Sequence, residues 1–289
     1  MEAVTLGVIG GSGVYAVEAL QDVQEVWVKT PFGDPSDVIV VGTLNGVRVA
    51  FLPRHGRGHH ITPTEINARA NIYALKSLGV QYVVSISACG SMRADYAPRH
   101  IVIPDQIFDR TRLRPNTFFG NGLVVHVSFD EPFCSTLSNL VYQAVKKTGA
   151  TLHKGGTLLV IEGPQFSTKA ESRIYRQWGV DIIGMTALPE AKLAREAEMC
   201  YATLAHVTDY DVWHETEEPV TLAMLIENLQ ANAALTKQAL AYLAPMVAQQ
   251  AERTCKCATA LATAIITQKE RIPAKVKQDL ALLVGKYLP

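Results

Sequence analysis

The sequence is poor in several features that mark whole classes of protein. Charges of the two signs balance, with 27 Lys and Arg against 27 Asp and Glu, so no net field attracts nucleic acid or an anionic membrane. No run reaches the ~18 apolar residues of a membrane span, and the N-terminus lacks a basic stretch followed by a cleavable apolar one. These absences predict a cytoplasmic protein that binds neither nucleic acid nor membrane.

Cysteine is also scarce. Five cysteines among 289 residues are too few for a disulfide framework, and their spacing shows neither the CxxC nor the HxxxH pattern of a zinc site. The spacing therefore predicts no metal site. Apolar residues, by contrast, are abundant, at 48% of the chain against 19% charged, which is ample for a globular core.

Short apolar runs alternate with helical patterns along the chain, which favours one α/β domain over separate modules. Asn45-Gly46 lies between the apolar runs 38–44 and 47–52 and predicts a hairpin, so part of the sheet is expected to be antiparallel. Other strands are predicted at 4–9, 26–28, 82–87, 101–103, 123–127, 157–161, 181–185 and 199–207, and helices at 65–78, 134–147, 170–178, 189–198, 220–250 and 273–286. The predicted fold is a single domain of residues 1–289: a mixed, partly antiparallel central sheet surrounded by helices, with a helical C-terminal segment from about 220 to 289.

Two carboxylates stand two residues apart directly after the apolar run 199–207. Because side chains alternate across a strand, Asp209 and Asp211 are expected to leave the same face at its exit. Two carboxylates this close cannot both ionise cheaply, so one is expected to be a neutral proton donor and the other an acceptor. Such a pair suits a ring with an acceptor nitrogen beside an exocyclic amine, as in adenine. The alternative is an ordinary turn, since Asp is common at strand ends.

Three segments have the chemistry to bind an anion. The glycine-rich turn at 10–13 follows a strand, and its N–H groups with the Ser12 hydroxyl could hold one phosphate. The alternative is a dinucleotide site, but such a site needs a crossover helix longer than the short segment before the strand at 26–28. It also needs an acidic residue about 20 positions on, at the end of the second strand, and the sequence does not place one there. Arg54 and His55 lie in a basic, Gly-rich loop, where the Arg54 guanidinium could bind an oxyanion through two N–H groups. The alternative is an ordinary solvent-exposed basic loop. Ser87 ends a strand, where α/β sheets bind ligands. Together these segments predict phosphate chemistry.

Seven motifs together match one known family. They are Gly10-Gly-Ser-Gly13, Thr30-Pro-Phe-Gly33, Arg54-His-Gly-Arg57, Ser87-Ala-Cys-Gly-Ser91, Ile161-Glu-Gly-Pro-Gln-Phe166, Gly184-Met-Thr186 and Thr208-Asp-Tyr-Asp211. In order and spacing they resemble the trimeric purine nucleoside phosphorylases, and most closely the 5'-methylthioadenosine phosphorylases among them, over about residues 6–238.

The resemblance implies a reaction and its partners. Phosphate attacks C1' of 5'-deoxy-5'-methylthioadenosine and releases adenine and 5-methylthioribose 1-phosphate, a step of purine and methionine salvage. The resemblance also implies that no metal or organic cofactor is needed, and that the protein is a homotrimer with sites at subunit borders. The alternatives are a phosphorylase of 6-oxopurine nucleosides or 5'-methylthioinosine, or a purine-binding protein without activity.

The resemblance also assigns roles to single residues. Phosphate binding is implied for Ser12, Arg54, His55, Ser87, Ala88 and Thr186. Nucleoside binding is implied for Phe166, Ile183, Met185, Asp209, Asp211, Leu222, Leu225 and His126. Asp209 is expected to protonate N7 of the leaving purine, and Asp211 to accept from its amine. An Asn at the first position would be expected in relatives that prefer 6-oxopurines.

The 5' end of the sugar gives one further expectation. Where hydroxyl-preferring relatives have a His, the matching residue is Leu222, so an apolar pair with Leu225 is expected to accept the methylthio group. By periodicity alone, both could be plain core residues. Tyr287 or Leu288 of a neighbouring subunit is expected to help complete that pocket.

The cysteines resemble those of some thermophilic relatives. Cys134 and Cys200 occupy places that resemble a disulfide pair there, and Cys255-Lys-Cys257 resembles a C-terminal CxC motif. Because the cytosol is reducing, free buried thiols are expected here. Cys89 is expected to be a small residue of the phosphate loop and not a nucleophile. The histidines at 59, 60 and 214 are expected on the surface or in loops.

Overall fold

The structure, a computed structural model, describes residues 3–11, 19–214, 222–250 and 252–288, with side chains left out over 222–231. Ser12 and the side chains of Leu222 and Leu225 thus lie outside the described residues. The strands are β1 (Leu6–Gly10), β2 (Gln21–Val26), β3 (Ile39–Leu44), β4 (Val47–Pro53), β5 (Tyr82–Ser91), β6 (Ile101–Ile103), β7 (Gln106–Arg110), β8 (Leu152–Lys154), β9 (Thr157–Ile161), β10 (Ile182–Gly184) and β11 (Cys200–Asp209). The helices are α1 (Ala68–Ser77), α2 (Ser135–Lys146), α3 (Lys169–Gln177), α4 (Ala187–Glu196), α5 (Leu222–Ala248), α6 (Ala274–Asp279) and α7 (Ala281–Val284).

These strands form one mixed sheet. Its main path runs β2-β3-β4-β1-β5-β10-β9-β7, while β11 joins β5 to β6, and β6 pairs with β8. β1 is parallel to β4 and β5, and β5 is parallel to β11. The β2-β3-β4 meander and the β5–β10 pair are antiparallel. The mixed, partly antiparallel sheet predicted from the sequence is confirmed.

Apolar side chains cover both faces of the sheet, because successive residues of a strand point to opposite sides. In β1, Val8 packs into the cluster that contains residues of α2 and α5, whereas Ile9 packs into the cluster that contains residues of α1 and α4. Helices therefore surround the sheet, as predicted. Within the described ranges, no helix combines the length and apolar character needed to cross a membrane.

The hairpin predicted at Asn45-Gly46 is present. Both residues have positive φ, 48° and 78°, as a two-residue hairpin turn of the I′ type requires, and the flanking strands β3 and β4 pair antiparallel with Leu44 opposite Val47. The turn chemistry therefore sets the register of this part of the sheet.

Several predicted boundaries are wrong. Helix α1 begins at Ala68, three residues after the predicted start at 65, because the Asn67 side chain accepts from the Ala70 N–H and caps the helix there. The segment 123–127 is no strand and makes only isolated bridges, including Val125 to Ile265. The predicted C-terminal helix 273–286 is divided into α6 and α7 at Leu280, whose φ is −104°.

Candidate active site

A cavity of about 710 Å³ lies where the carboxyl ends of several strands meet, including β4 and β11. This is where open α/β sheets bind ligands. Ten of the residues expected at the site line it: Arg54, His55, Ser87, Ala88, Phe166, Ile183, Met185, Thr186, Asp209 and Asp211. Segments from across the chain thus converge on one cavity.

Arg54 is fixed at one end of this cavity by a buried ion pair. Its Nε lies 2.6 Å from Glu190 Oε1, and both side chains are at most 2% exposed. Its other nitrogens donate to Ile86 O at 2.9 Å and Ser85 Oγ at 2.7 Å. Tyr201 Oη holds the second Glu190 oxygen at 2.8 Å. The guanidinium is therefore held in one orientation, and Glu190 compensates its charge.

Two hydroxyls continue this network toward the ligand space. Ser87 Oγ lies 3.0 Å from Thr186 Oγ1 and 3.4 Å from Ser85 Oγ. The sequence placed Ser87 at the end of a strand, but β5 continues to Ser91. The motif 87–91, which was predicted to bind phosphate, is therefore part of the strand, and its backbone is fixed by neighbours on both sides, β11 and β10.

His55 is held in one tautomer. Its Nδ1 lies 2.8 Å from Ile61 O, and because a carbonyl can only accept, Nδ1 carries the proton and Nε2 is an acceptor in the neutral ring. Burial, with the nearby Arg54 charge, lowers the His55 pKa to about 4. The His59 ring stacks on it with centroids 4.2 Å apart and also lines the cavity. From the sequence, His59 was expected only on the surface or in a loop, and not at the site.

Asp209 and Asp211 lie at the other end of the cavity. Asp209 ends β11, after a register shift between Val207 and Asp209, and Asp211 follows in the left-handed region with φ 52°. Its N–H donates to Asp209 Oδ1 at 2.8 Å. Strand exit and turn are therefore both present, and the turn, not simple alternation, brings the two carboxylates to the same cavity.

Burial is the main cause of the shifts in both carboxylates. It raises the pKa of Asp209, although hydrogen bonds from Thr208 Oγ1, at 2.6 Å, and from the Asp211 N–H act against it. It also raises the pKa of Asp211, against hydrogen bonds from the Ser172 side chain and the Val212 backbone, and the negative charge of Asp209 adds less than any of these. From the sequence, mutual repulsion of the two carboxylates was expected to be the main cause of the pKa shifts.

The carboxylates differ in what they have left to bind. Both Asp209 oxygens accept hydrogen bonds within the chain. Asp211 Oδ2 is buried and has no partner among the described residues. Gly90 allows this crowding, because a Cβ there would lie 2.9 Å from Asp209 Oδ1. A buried acceptor without a donor is costly, which favours a ligand donor at Asp211.

Some expected site residues are not brought to the cavity of this chain. His126 is exposed, and its N–H donates to Ala264 O at 2.9 Å on the surface. Tyr287 donates to Glu198 at 2.6 Å, and Leu288 packs into the core of its own chain. Phe166 does line the cavity but is 53% exposed. One wall of the cavity is therefore open in the single chain.

Three buried polar residues, His206, Asn232 and Thr236, line the cavity and were not predicted from the sequence. Thr236 Oγ1 donates to Asn232 O at 2.9 Å and accepts from His206 Nε2 at 2.7 Å. His206 Nδ1 is therefore an unprotonated acceptor, and it and Asn232 Nδ2 are buried without partners among the described residues. Burial lowers the His206 pKa to about 4. A histidine inside an apolar strand, three residues before Asp209, was the available signal.

Arg114 does not line the cavity but holds segments that do, and no sequence motif pointed to it. Its Nε lies 3.0 Å from Glu162 Oε1, and its Nη1 donates to Met185 O and, at 2.7 Å, to Leu188 O. It therefore positions the segment that carries Met185 and Thr186. Cys89 lines the cavity too, but burial raises its pKa well above the usual value, which is unfavourable for a nucleophile, as expected.

Comparison with known proteins identifies the class. Residues 5–244 match the model of the phosphorylase superfamily, and the chain belongs to that superfamily. It is 57% identical over 289 residues to an S-methyl-5'-thioadenosine phosphorylase of Chloroflexus aurantiacus, which covers 99% of each chain.

Two solved structures are similar along almost the whole chain. One is a methylthioadenosine phosphorylase from an antarctic soil metagenomic library, with TM-score 0.93 and 48% identity over 98% of this chain and 99% of that one. The other is a methylthioadenosine phosphorylase of Schistosoma mansoni in complex with adenine, with TM-score 0.83 and 34% identity over 98% of both chains. The fold and the family inferred from the seven motifs are thereby confirmed.

Proposed function

We propose that this protein catalyses the phosphorolysis of 5'-deoxy-5'-methylthioadenosine to adenine and 5-methylthioribose 1-phosphate. One observation carries the proposal: a single cavity has an arginine and hydroxyl network at one end and two buried carboxylates of raised pKa at the other. The similar proteins named above act on the same nucleoside or bind its base.

The phosphate end supplies the nucleophile. Arg54, Ser87 and Thr186 hold phosphate so that one of its oxygens forms the bond to C1' of the sugar. His55 Nε2, an acceptor, takes a hydrogen bond from a protonated phosphate oxygen. The Ser12 hydroxyl and the backbone at Ala88 complete the set. Because Glu190 already compensates the arginine, phosphate is bound by oriented donors more than by net charge.

The base end stabilises the leaving group. As the bond from C1' to N9 breaks, its electron pair moves onto the purine, and Asp209, whose pKa burial raises, delivers a proton to N7. Asp211 Oδ2 accepts from the exocyclic amine, which gives that buried oxygen the donor it lacks. An adenine nucleoside therefore suits this end better than a 6-oxopurine, which has no amine there.

Apolar side chains enclose the rest of the nucleoside. Met185 and Ile183 lie against the sugar, Phe166 covers the purine, and Leu222 with Leu225 takes the methylthio group. No metal or organic cofactor takes part, because phosphate is the co-substrate and the chain supplies the acid.

The assembly that suits this site is a homotrimer in the cytoplasm. Val124 and Ile266 are 47% and 62% exposed, and the Ile266 N–H donates to Val124 O, so the two form one apolar patch beside His126. A second copy placed on this patch would bury it and bring His126 toward the open wall beside Phe166. This arrangement supports sites at subunit borders.

The test is adenine release from methylthioadenosine with and without phosphate. We expect release only with phosphate, and one sugar 1-phosphate formed for each adenine. Equal rates in phosphate-free buffer would identify a hydrolase and contradict the role of the Arg54 network. Light scattering on the same sample checks the trimer, and a monomer at full activity would contradict the assembly.

A further inference from the structure

Four cysteines from distant parts of the chain meet in one cluster. They are Cys134, Cys200, Cys255 and Cys257, and their sulfur atoms all lie within 4.8 Å of one another. Cys200 Sγ and Cys255 Sγ are 3.3 Å apart. The cysteine spacing had predicted no metal site, because such patterns are recognised by short spacing, and these four residues come from three separate segments.

The arrangement has the dimensions of a tetrahedral thiolate site. With metal–sulfur bonds of about 2.3 Å, the sulfurs of a zinc site lie about 3.8 Å apart, within the range found here. Three of the thiols are buried and Cys255 is partly buried, so four protein ligands close the site. Two independent disulfides would require only two short pairs, whereas here every sulfur is near the other three.

The surrounding backbone favours thiolates. Cys134 is the N-cap residue of the 12-residue helix α2, and its side chain makes no capping bond, so the positive helix end faces negative charge on its sulfur. The Cys134 N–H is fixed by Tyr201 O at 2.8 Å.

We propose that Cys134, Cys200, Cys255 and Cys257 bind one structural zinc ion. Soft thiolate ligands in a tetrahedral set select Zn²⁺ over the hard cations Mg²⁺ and Ca²⁺. On binding, the thiol protons pass to solvent and four Zn–S bonds form, with no change of oxidation state. The site is separate from the reaction, because Cys200 and Asp209 stand at opposite ends of β11, about 30 Å apart at the usual rise of a strand.

The ion would fasten the C-terminal segment to the sheet. Cys134 and Cys200 belong to the core around α2 and β11, whereas Cys255 and Cys257 begin the segment 252–288. Polar contacts to Glu198, from the Leu261 N–H and from Tyr287, attach that segment elsewhere. The zinc site would thus join the chain just after α5 to α2 and β11, beside the hydrogen bond that Arg253 Nη1 donates to Glu198 O at 2.7 Å.

Metal and thiol analysis of the full-length protein tests the proposal. The protein is produced with zinc in the medium, purified without metal-affinity resin or reductant, and measured for zinc and for free thiols after denaturation in chelator. We expect one zinc per chain and all five cysteines of the chain titrating as thiols. Zinc-free protein overturns the proposal, whether five thiols are found or fewer, and fewer thiols would identify disulfides in its place.

Variants locate the ion. Cys200→Ser should lower the zinc content at least about tenfold, whereas Cys89→Ser, which removes a buried thiol outside the cluster, should retain it. If Cys200→Ser does not fold, cobalt substitution of the wild type decides: intense visible absorption of tetrahedral thiolate coordination, displaced by zinc, supports the site, and its absence contradicts it. Chelator should also speed proteolysis within 252–288, and unchanged cleavage there would contradict the fastening role.

Discussion

The two ends of the cavity, which we propose to bind phosphate and the purine base, differ in how their buried charged groups are compensated. At the phosphate end, Arg54 is paired with Glu190 at 2.6 Å and bonded to Ser85, so the donors are oriented before any ligand arrives. At the base end, burial raises the pKa values of Asp209 and Asp211, and one Asp211 oxygen has no partner among the described residues. A preorganised cation such as Arg54 suits phosphate, which only has to be held in position. A raised pKa suits Asp209, because an acid must carry a proton that it can transfer.

The largest effect is expected at the base end. Asp209→Asn keeps the size of the side chain but cannot surrender a proton, so turnover of adenine nucleosides should fall by about 10²–10⁴-fold. Because the amide can donate to a 6-oxo group, relative preference should move toward hypoxanthine nucleosides. The measurement is kcat/KM for both nucleosides in wild type and variant.

Asp211→Ala is the matched control for that experiment. It should mainly weaken binding of the 6-amino substrate, through KM, because it removes an acceptor and not the acid. Near-normal turnover with an unchanged substrate ratio in Asp209→Asn would mean that this carboxylate neither protonates nor recognises the base.

A smaller effect is expected at the phosphate end. Replacing Arg54 by Gln should raise KM for phosphate by about 10–150-fold, which corresponds to the ~1.5–3 kcal/mol of charged hydrogen bonds. The single variant also leaves Glu190 as an unpaired buried charge, which costs about 3–5 kcal/mol of stability. Steady-state kinetics at varied phosphate and thermal unfolding measure the two effects.

The double variant Arg54→Gln with Glu190→Gln separates binding from folding. It should keep the high KM for phosphate but recover most of the lost stability, since no charge remains unpaired. Recovery of phosphate affinity together with stability would show that Arg54 only supports the fold.

A third variant tests the sugar end, between the two regions compared. Wild type should favour methylthioadenosine over adenosine by at least about tenfold, the range of apolar pocket contacts. Leu222→His should move that preference toward adenosine, because an imidazole gives the 5'-hydroxyl a partner. Equal kcat/KM for both nucleosides in the wild type would assign Leu222 to the core.

The smallest effect concerns stability and pH. His55 and His206 have pKa values of about 4 in the folded chain against 6.5 when unperturbed. The unfolded chain therefore takes up protons first, and stability is lost as pH falls from 6.5 toward 4. His206→Gln should flatten this slope and remove about 1–2 kcal/mol of the loss at about pH 5. Urea unfolding at several pH values measures it, and an unchanged slope would contradict a buried neutral His206.

Local patterns predicted much of the fold. The Asn45-Gly46 turn, with φ positive at both residues, determines its hairpin by short-range sterics alone. The strands at 101–103 and 157–161 have the predicted bounds, because short apolar runs favour buried strands. The predicted strand 123–127 is wrong because the segment makes only isolated bridges, among them Val125 to Ile265, and a local apolar pattern does not show whether a segment will find a pairing partner.

The sequence by itself predicted which groups take part in the proposed reaction: a phosphate set, two carboxylates at a strand exit, and apolar residues for the sugar. Only the tertiary structure decided their states. Glu190 pairs with Arg54 across 136 residues, burial raises the Asp209 pKa, and Cys134 meets Cys257, because each depends on long-range packing that excludes water or joins distant segments. Local sequence shows which residue types are present, whereas their protonation states and their contact partners depend on the surroundings that the whole fold creates.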